Sequence, residues 1–271
     1  MSWWQAALLG LLQGLTEFLP VSSSGHLVLA QHFLGLEGGA DNVTFDIFLH
    51  FGTVLSILTV YRRDVISLIG VTLGAVAKPT LLGESYREKT EFRMALFILI
   101  TMIPTGLVYV LFGDYLEARF SDPRFVLGML ILTGVLLLLT LLRKDPDGPL
   151  SPVKAFLIGI AQSAAMTPGI SRSGSTICTA LYLNVEPKKA ADFSFLMLLP
   201  VVLGATLLKG LELADGGSFS IGWVPLIVGT LVAYASGVVA IKILLDVIRR
   251  GHLSYFAYYC LLVGGIGLLF I

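Results

Sequence analysis

The sequence predicts an all-α integral membrane protein of about six transmembrane helices, with two re-entrant helical hairpins related by an inverted-topology repeat. Three observations carry that prediction: the composition, the lengths of the apolar segments, and a self-alignment that lays Leu8 on Leu157. Of the 271 residues, 56% are hydrophobic and 13% charged, against about 25% charged in an ordinary soluble domain. A globule of this size has too little interior to hide so much apolar surface, which argues against a soluble enzyme. The 18 basic and 18 acidic residues cancel, so no net field points to nucleic acid. The apolar segments follow one another with short polar gaps, so residues 1–271 read as a single membrane domain. Cys178 and Cys260 both lie in apolar stretches and read as small buried hydrophobes rather than a disulfide or metal pair.

A bilayer core of ~30 Å needs about 20 apolar residues per helix. Met94 to Gly113, Phe125 to Leu142, Ile221 to Ile241 and Leu253 to Ile271 meet that without a charge. Val43 to Tyr61 and Ala190 to Leu208 are long enough but carry Asp46 with His50, and Asp192. Two apolar stretches remain, and each is interrupted. Trp3 to Leu36 breaks at Pro20 and the triple serine Ser22, Ser23, Ser24; Val153 to Leu183 breaks around Pro168, Gly169 and Ser171 to Ser175. Their halves are too short to cross and long enough to dip in and return, a backbone tolerated only where protein or a wet cavity surrounds it. The first stretch lacks a basic leading region and a small-residue cleavage site, so it reads as part of the fold rather than as a signal peptide.

Basic residues in short loops set orientation. Arg62, Arg63, Lys78, Arg87, Lys89 and Arg93 fall in one loop, with further clusters between Arg143 and Lys154, before Ala190, and between Lys242 and His252. The intervening loops hold Arg119, Arg124 and Lys209. The first set is expected in the cytoplasm, which puts both termini outside and makes the two hairpins enter from opposite faces.

The two broken stretches align without a gap: Gly10 on Gly159, Gln13 on Gln162, Ser22 on Ser171, Ser24 on Ser173 and Gly25 on Gly174. Repeat 1 then covers about 1–142 and repeat 2 about 150–271. Such broken segments usually meet near the midplane and build the site there. The differences divide the chemistry, because Glu17 aligns with Met166, Ser23 with Arg172 and His26 with Ser175. If the tips meet, they enclose a nucleophile, two acid–base groups and one fixed positive charge.

Ionised groups at membrane depth cost on the order of 3 kcal/mol, which makes Glu17 and Arg172 functional-site candidates, with mutual neutralisation as the structural alternative. Gln13 and Glu17 stand four apart on one helical face and can point together at an anion, a metal or a water; packing glue is the alternative for Gln13. The stretch Pro168 to Thr176 suits a phosphate: Gly169 admits backbone N–H groups, a helix starting near Ser173 presents its positive end, Ser171, Ser173 and Thr176 add hydroxyls, and Arg172 grips oxygens bidentately. Serine needs a neighbouring base, which Glu17 or His26 supplies. Ser22 and Ser24 read as capping or phosphate-binding hydroxyls, and His50 and Asp46 receive no part in the chemistry.

Gln13-x-x-x-Glu17, followed by Pro20, Ser22, Ser23, Gly25 and His26, resembles the (E/Q)xxxE and serine–histidine signature of the bacterial undecaprenyl pyrophosphate phosphatases, the bacitracin-resistance type. Pro168-Gly169-x-Ser171-Arg172-Ser173-x-x-Thr176 looks like that family's PGxSRSxxT motif, complete in every specified position. The resemblance covers essentially the whole chain; Gln rather than Glu at position 13 departs from any mechanism that needs two carboxylates there. It implies a multi-pass hydrolase of the bacterial cytoplasmic (inner) membrane, opening to the periplasmic or outer side. Its substrate would be undecaprenyl pyrophosphate, converted to undecaprenyl phosphate for reuse in peptidoglycan synthesis, with bacitracin resistance as a consequence. Ser23 would be the nucleophile, Glu17 and His26 acid–base or metal-coordinating partners, and Arg172 the phosphate clamp, with Mg²⁺ or Ca²⁺ shared between Glu17 and substrate. The implied partners are the prenyl lipid and the bilayer, with no nucleic acid, and a homodimer is open.

The rival from another class is a secondary transporter or lipid flippase, since inverted repeats with broken helices suit alternating access. It explains Arg172 and the glycines but not the placement of Ser23, His26 and Glu17 together. The phosphatidic-acid-phosphatase type would need a histidine six residues after Arg172, where this chain has Cys178.

Overall fold

The computed structural model describes residues 1–36, 40–143, 146–214 and 221–271. Among these residues thirteen α-helices follow in order: α1 (Trp3–Phe18), α2 (Ser23–Phe33), α3 (Ala40–Val60), α4 (Arg62–Val76), α5 (Leu82–Glu88), α6 (Thr90–Ala118), α7 (Pro123–Leu139), α8 (Pro152–Ala164), α9 (Arg172–Tyr182), α10 (Pro187–Leu196), α11 (Leu198–Ala214), α12 (Trp223–Arg249) and α13 (Ser254–Phe270). Among the described residues the only β pairing is an isolated bridge between Gly148 and Val185. Proline opens α7, α8 and α10, where a missing N–H costs nothing.

Among the described residues five stretches are long and apolar enough to cross a bilayer: Asn42–Val60, Thr90–Ala118, Pro123–Leu142, Pro187–Leu211 and Trp223–Arg249. α13, apolar over its 17 residues, matches the sixth span expected from sequence. Large apolar side chains stand outward around this bundle, Val110 at 81% exposure and Leu269 at 82% among them. That surface fits lipid rather than water, and the chain is a multi-pass membrane protein.

The breaks lie where the sequence places them, and the two broken stretches keep one register. α1 begins at Trp3 and α8 at Pro152, each capped by the preceding serine: Ser2 accepts from the Gln5 N–H and Ser151 from that of Lys154. α2 and α9 correspond residue for residue, Ser23–Phe33 to Arg172–Tyr182. α1 packs along α12 and α8 along α6, while α7 and α13 pack on each other. A side-chain carbon at Gly10 would lie 3.1 Å from the Gly229 Cα, and one at Gly159 would lie 2.8 Å from the Thr101 carbonyl, so small residues set both approaches. With lipid as apolar as leucine, such packing and interhelical hydrogen bonds hold the helices together. Ser56 Oγ on α3 donates to the Tyr234 carbonyl of α12 at 2.8 Å, and Thr230 Oγ1 on α12 donates to the Phe48 carbonyl of α3 at 3.3 Å.

One expectation differs. The basic loop from Arg62 to Arg93 is mostly helical: α4 and α5 join through a 3-10 turn at Pro79–Leu81 and bend by 112°. Val65, Ile66, Ile69, Leu73 and Val76 recur at helical spacing between the arginines and Lys78, and α4 packs on α6. Lys144, in the second basic cluster, lies outside the described residues. Cys178 and Cys260 are free and buried, as expected.

The core that backs the broken helices centres on Phe18 and Phe195, both fully buried and edge-to-face at 5.4 Å, with Tyr61 against Phe195 at 6.1 Å. Phe18 immediately follows Glu17, so this packing fixes the end of α1.

Candidate active site

Pro20 has no N–H to continue α1, and the chain turns through Leu19 and Val21. Ser22 caps α2 with φ +69°, accepting from the Gly25 N–H at 3.3 Å and pairing with the Ser24 hydroxyl at 3.3 Å. The other tip repeats the pattern: Ser171 caps α9, accepts from the Gly174 N–H at 3.0 Å and pairs with the Ser173 hydroxyl at 3.2 Å. The tips touch. A side-chain carbon at Gly25 would lie 3.1 Å from the Gly169 Cα, one at Gly174 would lie 3.3 Å from Pro20, and Ser173 Oγ donates to the Leu19 carbonyl at 3.2 Å. Gly169 has φ +93°, and a side chain there would collide with the Val126 backbone, so this position requires glycine on two counts.

Glu17 stands where the tips meet, its side chain 5% exposed. Oε1 accepts from the Arg172 guanidinium at 2.7 Å. Oε2 accepts from Ser23 Oγ at 2.6 Å and from Gln13 Nε2 at 3.0 Å. A second guanidinium nitrogen of Arg172 donates to the Ser194 carbonyl on α10 at 2.8 Å, which anchors the cation independently of Glu17. Acid, hydroxyl, amide and guanidinium from both stretches thus form one connected group. The pair partly neutralises two charges that would otherwise be costly to bury. It also leaves a serine hydroxyl donating to a carboxylate, the arrangement that activates a weak nucleophile.

The remaining expected residues lie close by with other partners. His26 turns from Ser23: its Nδ1–H donates to the Ser22 carbonyl at 2.8 Å, and Nε2 meets the Tyr259 hydroxyl at 2.8 Å. Thr176 Oγ1 donates to the Arg172 carbonyl at 2.8 Å and meets Ser194 Oγ at 2.6 Å, wholly buried. The Gly169 carbonyl and the Ser171 N–H both bond Thr133 Oγ1 at 3.0 Å. Ser171, Ser173, Gly169 and Thr176 therefore build the Arg172 loop, while Ser23 and Ser24 stand half-buried at its edge.

The family model described as "Bacitracin resistance protein BacA" matches residues 6–266. The chain belongs to that family. It is 60% identical to an undecaprenyl-diphosphatase of Salinibacter ruber over 99% of each chain. It is 40% identical to one of Halothermothrix orenii, over 94% of this chain and 93% of the relative. It is also 40% identical to one of Bacteroides fragilis, over 97% and 96%.

Three residues near the site of this BacA-family chain are given no role by the sequence. His50 on α3 brings Nε2 to 3.5 Å from Glu17 Oε2, with Nδ1 held by the Asp46 carbonyl at 2.8 Å. Ser194 and Tyr259 hold Arg172 and His26 from distant parts of the chain. An imidazole inside an apolar span was the one sequence signal for His50; nothing in sequence marks the other two.

Among the described residues there is no cluster of three or more His, Cys, Asp or Glu side chains fit to hold a metal by themselves. Gln13 Oε1, however, is buried without a hydrogen-bond partner, beside Glu17. The amide turns its Nε2 to Glu17, so this oxygen and the carboxylate are two separate hard-oxygen donors of the kind that Mg²⁺ or Ca²⁺ takes.

Proposed function

We propose that this chain is an undecaprenyl-diphosphatase, removing the terminal phosphate of undecaprenyl pyrophosphate to give undecaprenyl phosphate and inorganic phosphate. The observation that carries the reading is the 2.6 Å contact of Ser23 Oγ with the Glu17 carboxylate, whose other oxygen meets Arg172 at 2.7 Å. The names of the relatives supply the substrate.

Ser23 Oγ attacks the terminal phosphorus as its proton passes to Glu17 Oε2, and the bond to the bridging oxygen breaks with its electron pair leaving on the prenyl phosphate. Protonation weakens the hold of Glu17 on Arg172, which stays anchored at the Ser194 carbonyl and turns its free N–H groups to the phosphoryl oxygens as charge gathers there. Water then attacks phosphoserine; Glu17 returns its proton to Ser23 Oγ, and phosphate leaves with the protons of the water. Gln13 Oε1 and Glu17 would hold a divalent ion, which when bound neutralises pyrophosphate charge.

In this reading the two broken stretches are re-entrant hairpins of an inverted repeat in the bacterial inner membrane, with the site open to the outer side. The shared register of α1–α2 with α8–α9 supports the repeat. The loop-charge asymmetry supports the orientation. The end of α13 lies beside the sparsely basic loop, where Arg124 Nε donates to the Ile271 carbonyl at 3.0 Å.

The test is phosphate release from a prenyl pyrophosphate by purified protein, with and without chelator. Release that a chelator suppresses is expected. No release with any divalent ion would overturn the reading in favour of a lipid carrier.

A further inference from the structure

Ser22 is the residue before the nucleophile, and its backbone is unusual. Its φ of +69° lies in the left-handed region that side chains other than glycine's rarely adopt, whereas its counterpart Ser171 has an ordinary φ of −72°. Such a conformation persists only where the surroundings over-determine it. The tips differ at the residue four positions on: His26 in the first, Ser175 in the second. The His26 Nδ1–H holds the Ser22 carbonyl at 2.8 Å, so the imidazole braces the strained turn and the unstrained turn has none. A carbonyl can only accept, so the proton of a neutral ring lies on Nδ1 and Nε2 presents a lone pair. Tyr259 on α13 meets that lone pair with its hydroxyl at 2.8 Å and lies parallel to the ring, centroids 5.6 Å apart. Its neighbour Cys260 packs against the Pro20 carbonyl, so α13 bears directly on the break.

We propose that Tyr259 is a positioning residue: its hydroxyl and ring lock the His26 imidazole, which holds the Ser22 turn and thereby aims Ser23 Oγ at Glu17. The inference rests on Ser23 being the nucleophile, and it makes His26 a brace of the nucleophile's turn.

The test pairs a measurement without turnover with one of turnover, on full-length protein in detergent. In histidine nitrogen-15 spectra, with the His26 signals assigned by their loss in His26→Gln, His26 is expected as the Nδ1–H tautomer. Tyr259→Phe keeps the stacked ring and should shift the Nε2 signal towards that of a free acceptor while the protein melts with wild type. In phosphate release from farnesyl pyrophosphate, Tyr259→Phe should lower kcat about three- to tenfold, the effect of one neutral hydrogen bond, with KM unchanged. The same substitution added to His26→Ala should cost nothing further, because Tyr259 acts through the imidazole. Unchanged His26 signals in Tyr259→Phe, or an equal loss of kcat with and without His26, would overturn the proposal. If wild type releases no phosphate, the phosphatase reading fails, and the spectra alone decide whether Tyr259 holds His26.

Discussion

Glu17 Oε2 lies 2.6 Å from Ser23 Oγ, while Glu17 Oε1 lies 2.7 Å from Arg172, so one carboxylate joins the hydroxyl of one broken stretch to the guanidinium of the other. The two contacts ask different things of Glu17. In the proposed reaction the contact with Ser23 needs a group that takes a proton, and the contact with Arg172 needs an acceptor.

Glu17→Gln keeps the acceptor and loses the base. It should fold, with a midpoint between those of wild type and Glu17→Ala because the acceptor remains while the counter-charge is lost, and turnover should fall by ~10²–10⁴, the range for a missing general base. Glu17→Ala also leaves Arg172 without its buried partner and should lose on the order of 3 kcal/mol of stability. Thermal midpoints in detergent beside phosphate-release rates separate the two effects. A midpoint for Glu17→Ala equal to that of wild type would show that the ion pair is not structural.

Arg172→Lys keeps the charge and loses the fork. The guanidinium reaches Ser194 and Glu17 through separate nitrogens, which a single ammonium cannot reproduce in the same geometry. The variant should fold normally and lose most of its turnover. A near wild-type rate would make Arg172 a steering charge only.

Much of this site is legible in the sequence, because the residues that differ between two aligned breaks are the ones that meet. Glu17, Ser23, Arg172 and Gln13 come from those differences or from helical spacing, and the structure connects all four. Ser194 and Tyr259 are not legible, and the sequence marks His50 only as an imidazole in an apolar span, since each arrives from a different helix and only tertiary packing brings it near. His26 lies one turn along α2 from Ser23, as the spacing implies, but its ring partners are the Ser22 carbonyl and Tyr259, 233 residues away, and sequence spacing gives no sign of the latter. The hydroxyls of Ser171, Ser173 and Thr176 read as phosphate ligands from composition, while the structure engages them in holding the loop. Backbone groups in an irregular segment at membrane depth must find partners within the protein. α4 and α5 were hidden by the charges flanking them.

Gln13 Oε1 is buried and unpartnered, so its removal should be felt by the divalent ion rather than by the fold. Gln13→Ala is expected to raise the Mg²⁺ or Ca²⁺ concentration for half-maximal phosphate release, and Gln13→Glu, with one more anionic oxygen, to lower it. Both are read by titrating metal into chelator-treated protein. The same midpoint in all three proteins would exclude Gln13 from the ion's surroundings.

Orientation is tested by labelling. With Cys178 and Cys260 changed to alanine, Asp122→Cys should react with an impermeant thiol reagent on intact cells and Glu84→Cys should not. Both positions are exposed in the structure, so accessibility follows the side of the membrane alone. The reverse pattern would move the catalytic opening to the cytoplasm.

The central claim is that Ser23 Oγ forms a bond to phosphorus. Acid-quenched single turnover of a prenyl pyrophosphate labelled in its terminal phosphate, followed by peptide mapping, tests it directly. Labelled phosphoserine at Ser23 is expected in wild type and none in Ser23→Ala, whose turnover should fall ~10³-fold or more. Ser22→Ala and Ser24→Ala should still label Ser23, with turnover reduced by roughly tenfold or less. Full turnover with no label on the protein, or Ser23→Ala more active than either neighbour, would contradict the account and leave a Glu17-activated water as the attacking group.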